Sequence, residues 1–230
     1  MLSLKQALSL VSIKSLGGSW TPADDPNLVA WYKKGVGITE DAGGGVSQWA
    51  DSASNYDMKQ ADTAKQPAYN VANNELEFDN DNLQSTVQIT ITNEFTIAIR
   101  MSVDPAATNA AMLGDNTTSN NFFRVKEASI FDFKTNSSSL RAIPLNSADF
   151  GDSHTDYIVV TRDNTNKVSL WLNGTLQTAD VISAGDVLID CIGARRVDLN
   201  DFEGGIQEIQ IYSTTSSDLT NSINGQISNI

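Results

Sequence analysis

The stretch that decides the fold is residues 158–172, which read IVVTR, then DNTNK, then VSLWL. Two runs rich in β-branched and aliphatic residues flank a turn of Asp, Asn and Thr, and a second turn, Asn173-Gly174, follows at once. Asp and Asn side chains bond to their own backbone and tolerate the left-handed conformation, so this composition is typical of hairpin turns. The pattern predicts a β-hairpin with strands Asp156–Arg162 and Val168–Leu172.

Most of the remaining chain shows the same pattern of short apolar runs between turn clusters, which predicts strands and almost no helix. No internal repeat with a period of roughly 20–50 residues is present, which excludes solenoids and propellers. The other predicted strands are Leu28–Tyr32, Val46–Trp49, Leu76–Phe78, Val87–Ile91, Phe95–Val103, Ala111–Leu113, Phe122–Val125, Ser129–Phe133, Leu140–Pro144, Val187–Ile192 and Gly205–Tyr212.

Composition limits the partners of this 230-residue chain. Its 28 acidic against 15 basic residues give a formal net charge of −13, which repels phosphate backbones, so we expect no nucleic-acid partner. No run approaches the ~20 apolar residues of a membrane span, so we expect no membrane insertion. Cys191 is the only cysteine and is predicted to be an inert core side chain, while the single histidine, His154, excludes a two-histidine metal site.

The N-terminal residues form a separate pattern. Over residues 1–16, Leu4, Leu8 and Val11 share one helical face, and Gly17-Gly18 ends the predicted helix. This short helical arm either caps the core of its own domain or anchors the chain to another protein. The apolar run is interrupted by a lysine and has no small-residue cleavage site, which argues against a signal peptide.

We therefore divide the chain into an anchoring arm and connector, residues 1–26, and one sandwich domain, residues 27–230. Sandwich domains of about this length routinely form a single core. An attachment through residues 1–17 would leave the loops of the sandwich free to bind.

Landmarks in a fixed order carry a family resemblance. They include Trp49-x-Asp51, Gln66-Pro67, Phe78-Asp79, the segment from Tyr157 to Gly174 and the segment from Phe202 to Tyr212. Together they resemble concanavalin A-like domains of the laminin G type, over about residues 27–228. The resemblance implies an all-β, antiparallel two-sheet jelly-roll sandwich of the lectin kind. Asn80 and Trp171 depart from the family pattern, where glycine and tyrosine or phenylalanine are common.

The resemblance suggests carbohydrate binding, and three residues are candidates for it: Trp171, Asp115 and Asn116. Strand periodicity puts Trp171 on the face opposite to Leu170 and Leu172. If that face is covered, Trp171 belongs to a core, and if it is open, the indole can stack on a sugar ring. We favour the core for Trp171, as for the other landmark tryptophans.

Acidic clusters are candidate calcium sites, because Ca²⁺ takes carboxylate and amide oxygens. The best of them is Asp79-Asn80-Asp81-Asn82, with Asp79, Asp81 and Asn82 as proposed ligands. Two further clusters begin at Asp115 and at Asp198. For each cluster we favour the alternative, a turn held by Asp and Asn side chains.

An enzyme is the less favoured class. Glu75, Glu77 and Asp79 share one face of a predicted strand, and paired carboxylates are what a glycoside hydrolase needs. The residues that follow do not continue the Glu-x-Asp-x-x-Glu spacing of hydrolases with this fold, so we expect no catalysis.

An acidic, disulfide-free sandwich with an N-terminal arm resembles in construction the structural proteins of tailed phages. This predicts a multicopy or homo-oligomeric virion surface protein, either a capsid decoration or a tail fibre, assembled in the host cytoplasm. Its partners would be capsid or tail proteins, bound through residues 1–17, and cell-surface glycans. The alternative is a secreted bacterial adhesion or carbohydrate-binding module.

Overall fold

The computed structural model describes residues 19–104, 107–117, 121–136, 139–146, 155–177, 181–196, 199 and 201–230. Two short 3₁₀ turns, Pro22–Asp24 and Thr63–Lys65, interrupt a fold that is otherwise mostly strand. The strands are, in chain order, β1 (Leu28–Tyr32), β2 (Ile38–Glu40), β3 (Val46–Trp49), β4 (Met58–Lys59), β5 (Ala68–Asn70), β6 (Glu75–Asp79), β7 (Leu83–Ile91), β8 (Phe95–Val103), β9 (Ala110–Gly114), β10 (Phe122–Glu127), β11 (Ile130–Lys134), β12 (Arg141–Pro144), β13 (Asp156–Arg162), β14 (Lys167–Leu172), β15 (Thr175–Leu176), β16 (Val181–Ile182), β17 (Val187–Ile192) and β18 (Glu203–Tyr212).

These strands form two antiparallel sheets that pack face to face, which confirms the predicted two-sheet sandwich. The first sheet has the order β15-β14-β13-β8-β18-β6-β5, with β1 paired to β18 and β16 paired to β14. The second has the order β12-β11-β10-β9-β17-β7-β4-β3-β2. Neighbours in space are often distant in sequence, as expected of a jelly roll.

The hairpin of residues 158–172 forms as predicted. Ile158 pairs with Leu172 and Arg162 with Val168. In the turn, Asp163 Oδ1 accepts hydrogen bonds from the backbone N–H groups of Thr165 and Lys167, at 2.8 and 3.0 Å. The Asp and Asn content of the turn therefore acts through side-chain caps of backbone donors.

Side-chain alternation fills the space between the sheets with apolar groups. Leu170 and Leu172 of β14 point into this core, whereas Trp171 points to the outer face of the first sheet. Trp49 lies in the core with its Nε1 donating to the carbonyl of Val36 at 3.1 Å. Trp31 is also buried, but on the outer face of the first sheet.

A C-terminal helix, α1 (Ser217–Ile227), covers part of that outer face and was not predicted. Leu219, Ile223 and Ile227 recur every fourth residue and form a second apolar cluster with the sheet. The Ser216 hydroxyl caps the helix by accepting from the backbone N–H of Leu219 at 3.0 Å. Both signals are present in the sequence, but the segment is rich in Ser, Thr and Asn, so it resembles a loop.

The strands missed by the prediction, β2, β4, β5, β15 and β16, contain only two or three residues each, too few to show alternation. The predicted arm over residues 1–17 and His154 lie outside the described residues. Cys191 is fully buried, and burial above all raises the pKa of its thiol, which is consistent with the expected inert side chain. No helix in the described part of the chain is long and apolar enough to span a membrane.

Candidate functional site

A cleft of about 600 Å³ opens on the outer face of the first sheet, where β6, β8 and β18 lie side by side. Five carboxylates line it: Glu75, Glu77, Asp79, Asp104 and Glu203. Its size is within the range of small-molecule sites, which run from about 300 to 1,000 Å³. We call it the acidic cleft.

Strand alternation places three of these acids together. In β6, Leu76 and Phe78 point into the core, so Glu75, Glu77 and Asp79 point outward into the cleft. The shared face of these three acids, predicted from their spacing, is confirmed.

Glu75 is held firmly at the base of the cleft and is only 5% exposed. Its Oε1 accepts from Asn73 Nδ2 at 2.9 Å, and Ser102 Oγ lies 3.4 Å from Oε2. A Cβ at position 205 would lie 2.6 Å from Cδ of Glu75, so only the missing side chain of Gly205 leaves room for this carboxylate.

The other wall of the cleft comes from β18. Register pairs Glu203 with Asp79 and Gly205 with Glu77, which brings residues more than a hundred positions apart to one surface. Asp104, at the end of β8, completes the wall, and its backbone N–H donates to the carbonyl of Glu203 at 3.0 Å. Glu203 and Asp104 were not predicted as site residues, because their place in the cleft depends on this strand pairing.

Carboxylates and amides of this kind accept hydrogen bonds from hydroxyl groups, and a charged acceptor strengthens each bond. Among the described residues, no group of three or more His, Cys, Asp or Glu side chains converges to hold a metal ion. The cleft therefore offers separate acceptors spread along a surface. Such an arrangement suits a ligand that carries many hydroxyl groups.

The proposed calcium ligands lie beside the cleft in the turn after β6. Asn80 has φ 60°, a conformation that Asn tolerates where the family pattern has glycine. Asp81 Oδ2 accepts from the backbone N–H of Asp79 at 3.1 Å, and burial, as the main cause, raises the pKa of Asp81. Asn82 is fully buried, and its Oδ1 accepts from Gln60 Nε2 at 3.0 Å. Asn82 Nδ2 is buried without a hydrogen-bond partner, but an amide nitrogen is a donor and not a calcium ligand, so calcium binding stays a prediction.

Asp115 and Asn116 belong to a polar network of the second sheet. Thr117 Oγ1 donates to Asp115 Oδ1 at 2.5 Å, and the backbone N–H of Asn116 donates to Asp190 Oδ1 at 2.6 Å. Gln88 Nε2 lies 3.2 Å from Asp115 Oδ1 and 3.4 Å from Asp190 Oδ2. Burial first, and repulsion from Asp115 second, raise the pKa of Asp190. Because the pKa of Asp190 is higher in the folded than in the unfolded state, its contribution lowers the stability progressively as the pH rises from the unfolded-state pKa to the folded-state pKa, and the cost is complete above the latter.

Trp171 lies apart from these two residues. It is half-buried on the outer face of the first sheet, where it packs against the cluster formed with α1. Asp115 and Asn116 belong to the other sheet, so the structure does not bring the three proposed sugar-binding residues to one site. A role in sugar binding stays a separate prediction for each.

A scan against protein-family models found no match for this chain, and a search of curated proteins likewise found none.

Solved structures with the same fold were found at low sequence identity. The binding domain of Paraclostridial Mosquitocidal Protein 1 has a TM-score of 0.58 at 13% identity, covering 91% of this chain and 53% of that one. Domain 4 of AbnA, an extracellular GH43 arabinanase from Geobacillus stearothermophilus solved with arabinotriose, has 0.55 at 12%, covering 87% and 98%.

A third similar structure is the Trypanosoma rangeli sialidase in complex with sialic acid. Its TM-score is 0.56 at 13% identity, covering 89% of this chain and 34% of that one. The chain thus spans about a third of the sialidase and about half of the toxin domain. At these identities the similarity establishes a shared fold, the antiparallel two-sheet jelly-roll sandwich.

Proposed function

We propose that this chain is a non-catalytic carbohydrate-binding domain whose glycan site is the acidic cleft. The observation that carries the proposal is the cleft itself, whose walls hold five carboxylates, with Glu75 seated at the base in the space that the missing side chain of Gly205 leaves. Sugar hydroxyls are the donors that such acceptors match.

The structural relatives support this choice without deciding it, because a fold can serve many functions. The arabinanase domain was solved with a three-residue arabinose oligosaccharide, and the toxin domain is described as a binding domain. The former matches almost its whole length to this sandwich. Domain 4 is therefore a precedent for a sandwich of this size that is found with a bound oligosaccharide.

Glycan binding is expected to depend on the exposed carboxylates of the cleft. We expect the double variant Glu77→Gln, Asp79→Asn to lose roughly tenfold or more in affinity, because each hydrogen bond to a charged group is worth about 1.5–3 kcal/mol. An artificially multimerised domain on a glycan array would find the ligand, since linked copies raise avidity by roughly 10²–10⁴. The control is Glu40→Gln, an exposed carboxylate of the second sheet. A blank array, or equal binding by the double variant and the Glu40→Gln control, would contradict the proposal.

A glycoside hydrolase is the second candidate, because Glu75, Glu77 and Asp79 do line one cleft. A retaining mechanism needs two carboxyl groups about 5–5.5 Å apart, one of them a nucleophile. We favour binding because Glu75, at the base, is buried against Asn73 and Ser102. Release of reducing sugar by the wild type, lost in Glu77→Gln, would overturn the non-catalytic assignment.

The biological setting that we propose is a virion surface, with the sandwich held as a multicopy capsid decoration or tail fibre and assembled in the host cytoplasm. The acidic net charge and the single, buried cysteine, for which this sequence holds no disulfide partner, support this setting. The alternative setting is a secreted bacterial adhesion or carbohydrate-binding module.

Removal of residues 1–17 should leave a folded sandwich that no longer joins its particle. The expected result is a near-complete loss of the protein from purified particles, with the melting temperature of the isolated domain little changed. Quantitative mass spectrometry of particles carrying either form measures the copy number. Normal incorporation of the truncated protein would rule out the anchoring role.

A further inference from the structure

A second opening, of about 330 Å³, lies on the outer face of the first sheet beside the last turn of α1. Trp20 and Trp31 line it, together with Gly225, Gln226 and Asn229 of the helical end and with Lys33, whose ammonium lies 4.9 Å from the ring centre of Trp31. Trp20 is half-buried, so part of its ring system faces the opening. We call it the aromatic pocket.

Gly225 is unusual for its position. Glycine is among the weakest helix formers, yet it lies inside α1, where a Cβ would meet no atom within 4 Å. Packing therefore does not require glycine at this position. A larger side chain would project into the space at the pocket, so glycine keeps the opening wide.

The aromatic pocket and the acidic cleft lie along β18: its residues Glu203 to Gly205 line the cleft, and its Gln210 pairs with Trp31 of the pocket. Trp31 Nε1 donates to Glu208 Oε1 at 3.0 Å, and Glu208 lies three residues beyond Gly205, which lines the cleft. Because Gln210, the partner of Trp31, lies five residues beyond Gly205, a rise of about 3.3 Å per residue puts the two openings roughly 16 Å apart along β18. This is a distance that one oligosaccharide can span.

Hydrogen bonds join the two openings rigidly. Arg100 donates from Nη1 to the carbonyl of Ile227 at 2.6 Å, at the end of α1. It also donates from Nε to Gln207 Oε1 at 2.8 Å, and Gln207 Nε2 donates to the carbonyl of Asn73 in the cleft at 3.2 Å. The helix end and the cleft are thus fixed relative to one another, as subsites of one ligand must be.

We infer that the aromatic pocket and the acidic cleft are two subsites of one surface for a neutral oligosaccharide, an inference that rests on the proposed function. One sugar ring stacks its apolar face on Trp20, as aromatic rings favour, while further residues donate hydroxyl hydrogen bonds to the cleft. The five carboxylates of the cleft outnumber the one lysine of the pocket, Lys33, so this surface, in a chain of net charge −13, repels sialic and uronic acids. The ligand is therefore neutral and several sugar residues long.

The test uses cello-, manno-, malto-, arabino- and chito-oligosaccharide (N-acetylated) series from one to six residues, with lactose and sialyllactose. Binding is followed by tryptophan fluorescence and calorimetry. We expect affinity in one neutral series to rise at least tenfold from monosaccharide to hexasaccharide. Trp20→Ala should lower hexasaccharide affinity roughly tenfold and leave the shortest ligands unaffected.

Gly225 supplies matched variants that do not remove any packing group. Gly225→Phe should weaken hexasaccharide binding as Trp20→Ala does, whereas Gly225→Ala should bind normally and melt at a higher temperature. If Trp20→Ala and Gly225→Phe bind the hexasaccharide normally while the cleft variant Glu77→Gln, Asp79→Asn loses it, the two-subsite inference fails and the proposed function stands. Tighter binding of sialyllactose than of lactose would overturn the neutral ligand. Failure of the wild type to bind any of these probes would count against the proposed function itself.

Discussion

Arg162→Met is expected to lower the free energy of unfolding by about 3 kcal/mol. Arg162 ends the first strand of the hairpin and is fully buried. Its guanidinium donates from Nε to the carbonyl of Asn93 at 2.8 Å and from Nη1 to that of Gly185 at 2.5 Å, and it lies 5.0 Å from the ring centre of Phe95. Methionine fills a similar volume but leaves these carbonyls without their donor.

The measurement is chemical denaturation, supported by thermal melting. For a chain of this size about 3 kcal/mol corresponds to a fall of roughly 6–12 °C in melting temperature. Arg162→Lys keeps the charge but not the planar guanidinium group with its several donors, so its free energy of unfolding should lie between those of the wild type and Arg162→Met. Arg196→Met, at an exposed arginine, should change the free energy by less than about 0.5 kcal/mol. If Arg162→Met and Arg196→Met lowered the free energy of unfolding equally, the hydrogen bonds from Arg162 to the carbonyl groups would contribute nothing to stability.

Arg162 also illustrates the limit of the sequence. Its position at the end of a predicted strand suggests an exposed residue, since arginine is rarely buried. The hairpin itself could be predicted because its alternation and its turn are local. The partners of Arg162 come from the Asn93 and Gly185 segments, which are far away in sequence, so its burial could not be predicted.

The acidic cleft likewise has a part that could be predicted from the sequence and a part that could not. The outward face of β6 follows from a period of two, so Glu75, Glu77 and Asp79 were predictable as a group. The wall formed by Glu203 depends on the pairing of β18 with β6, which no local pattern contains. Helix α1 had local signals in its cap and apolar spacing, but its polar composition concealed them. The aromatic pocket depends on that helix and was therefore also missed.

Glu208→Leu is expected to destabilise the protein by about 3 kcal/mol and to loosen α1, because it removes the acceptor that ties three elements together. Glu208 is 1% exposed, and its Oε1 accepts from Trp31 Nε1 at 3.0 Å, Gln210 Nε2 at 2.7 Å and Gln226 Nε2 at 3.3 Å. Leucine leaves Trp31 Nε1 of β1 and Gln226 Nε2 of α1 without this acceptor, whereas Gln210 Nε2 keeps its second acceptor, Gln226 Oε1, at 2.6 Å. Hydrogen exchange at the α1 amides should become faster, and tryptophan emission should shift to longer wavelength as Trp31 is released.

Glu208→Gln separates the charge from the hydrogen bonds in this network. Its amide oxygen can still accept from Trp31, so we expect a loss of about 1 kcal/mol, with α1 still protected. Glu127→Leu, at an exposed glutamate of β10, is the control for adding leucine and should be nearly neutral. If Glu208→Leu left the exchange of the α1 amides unchanged, the helix would be held by its apolar face alone, through Leu219, Ile223 and Ile227. We expect the free energy of unfolding to be lowest in Glu208→Leu, intermediate in Glu208→Gln and highest in the wild type, with faster exchange of the α1 amides only in Glu208→Leu. This result would identify Glu208 as the group that fixes α1, and with it one wall of the aromatic pocket.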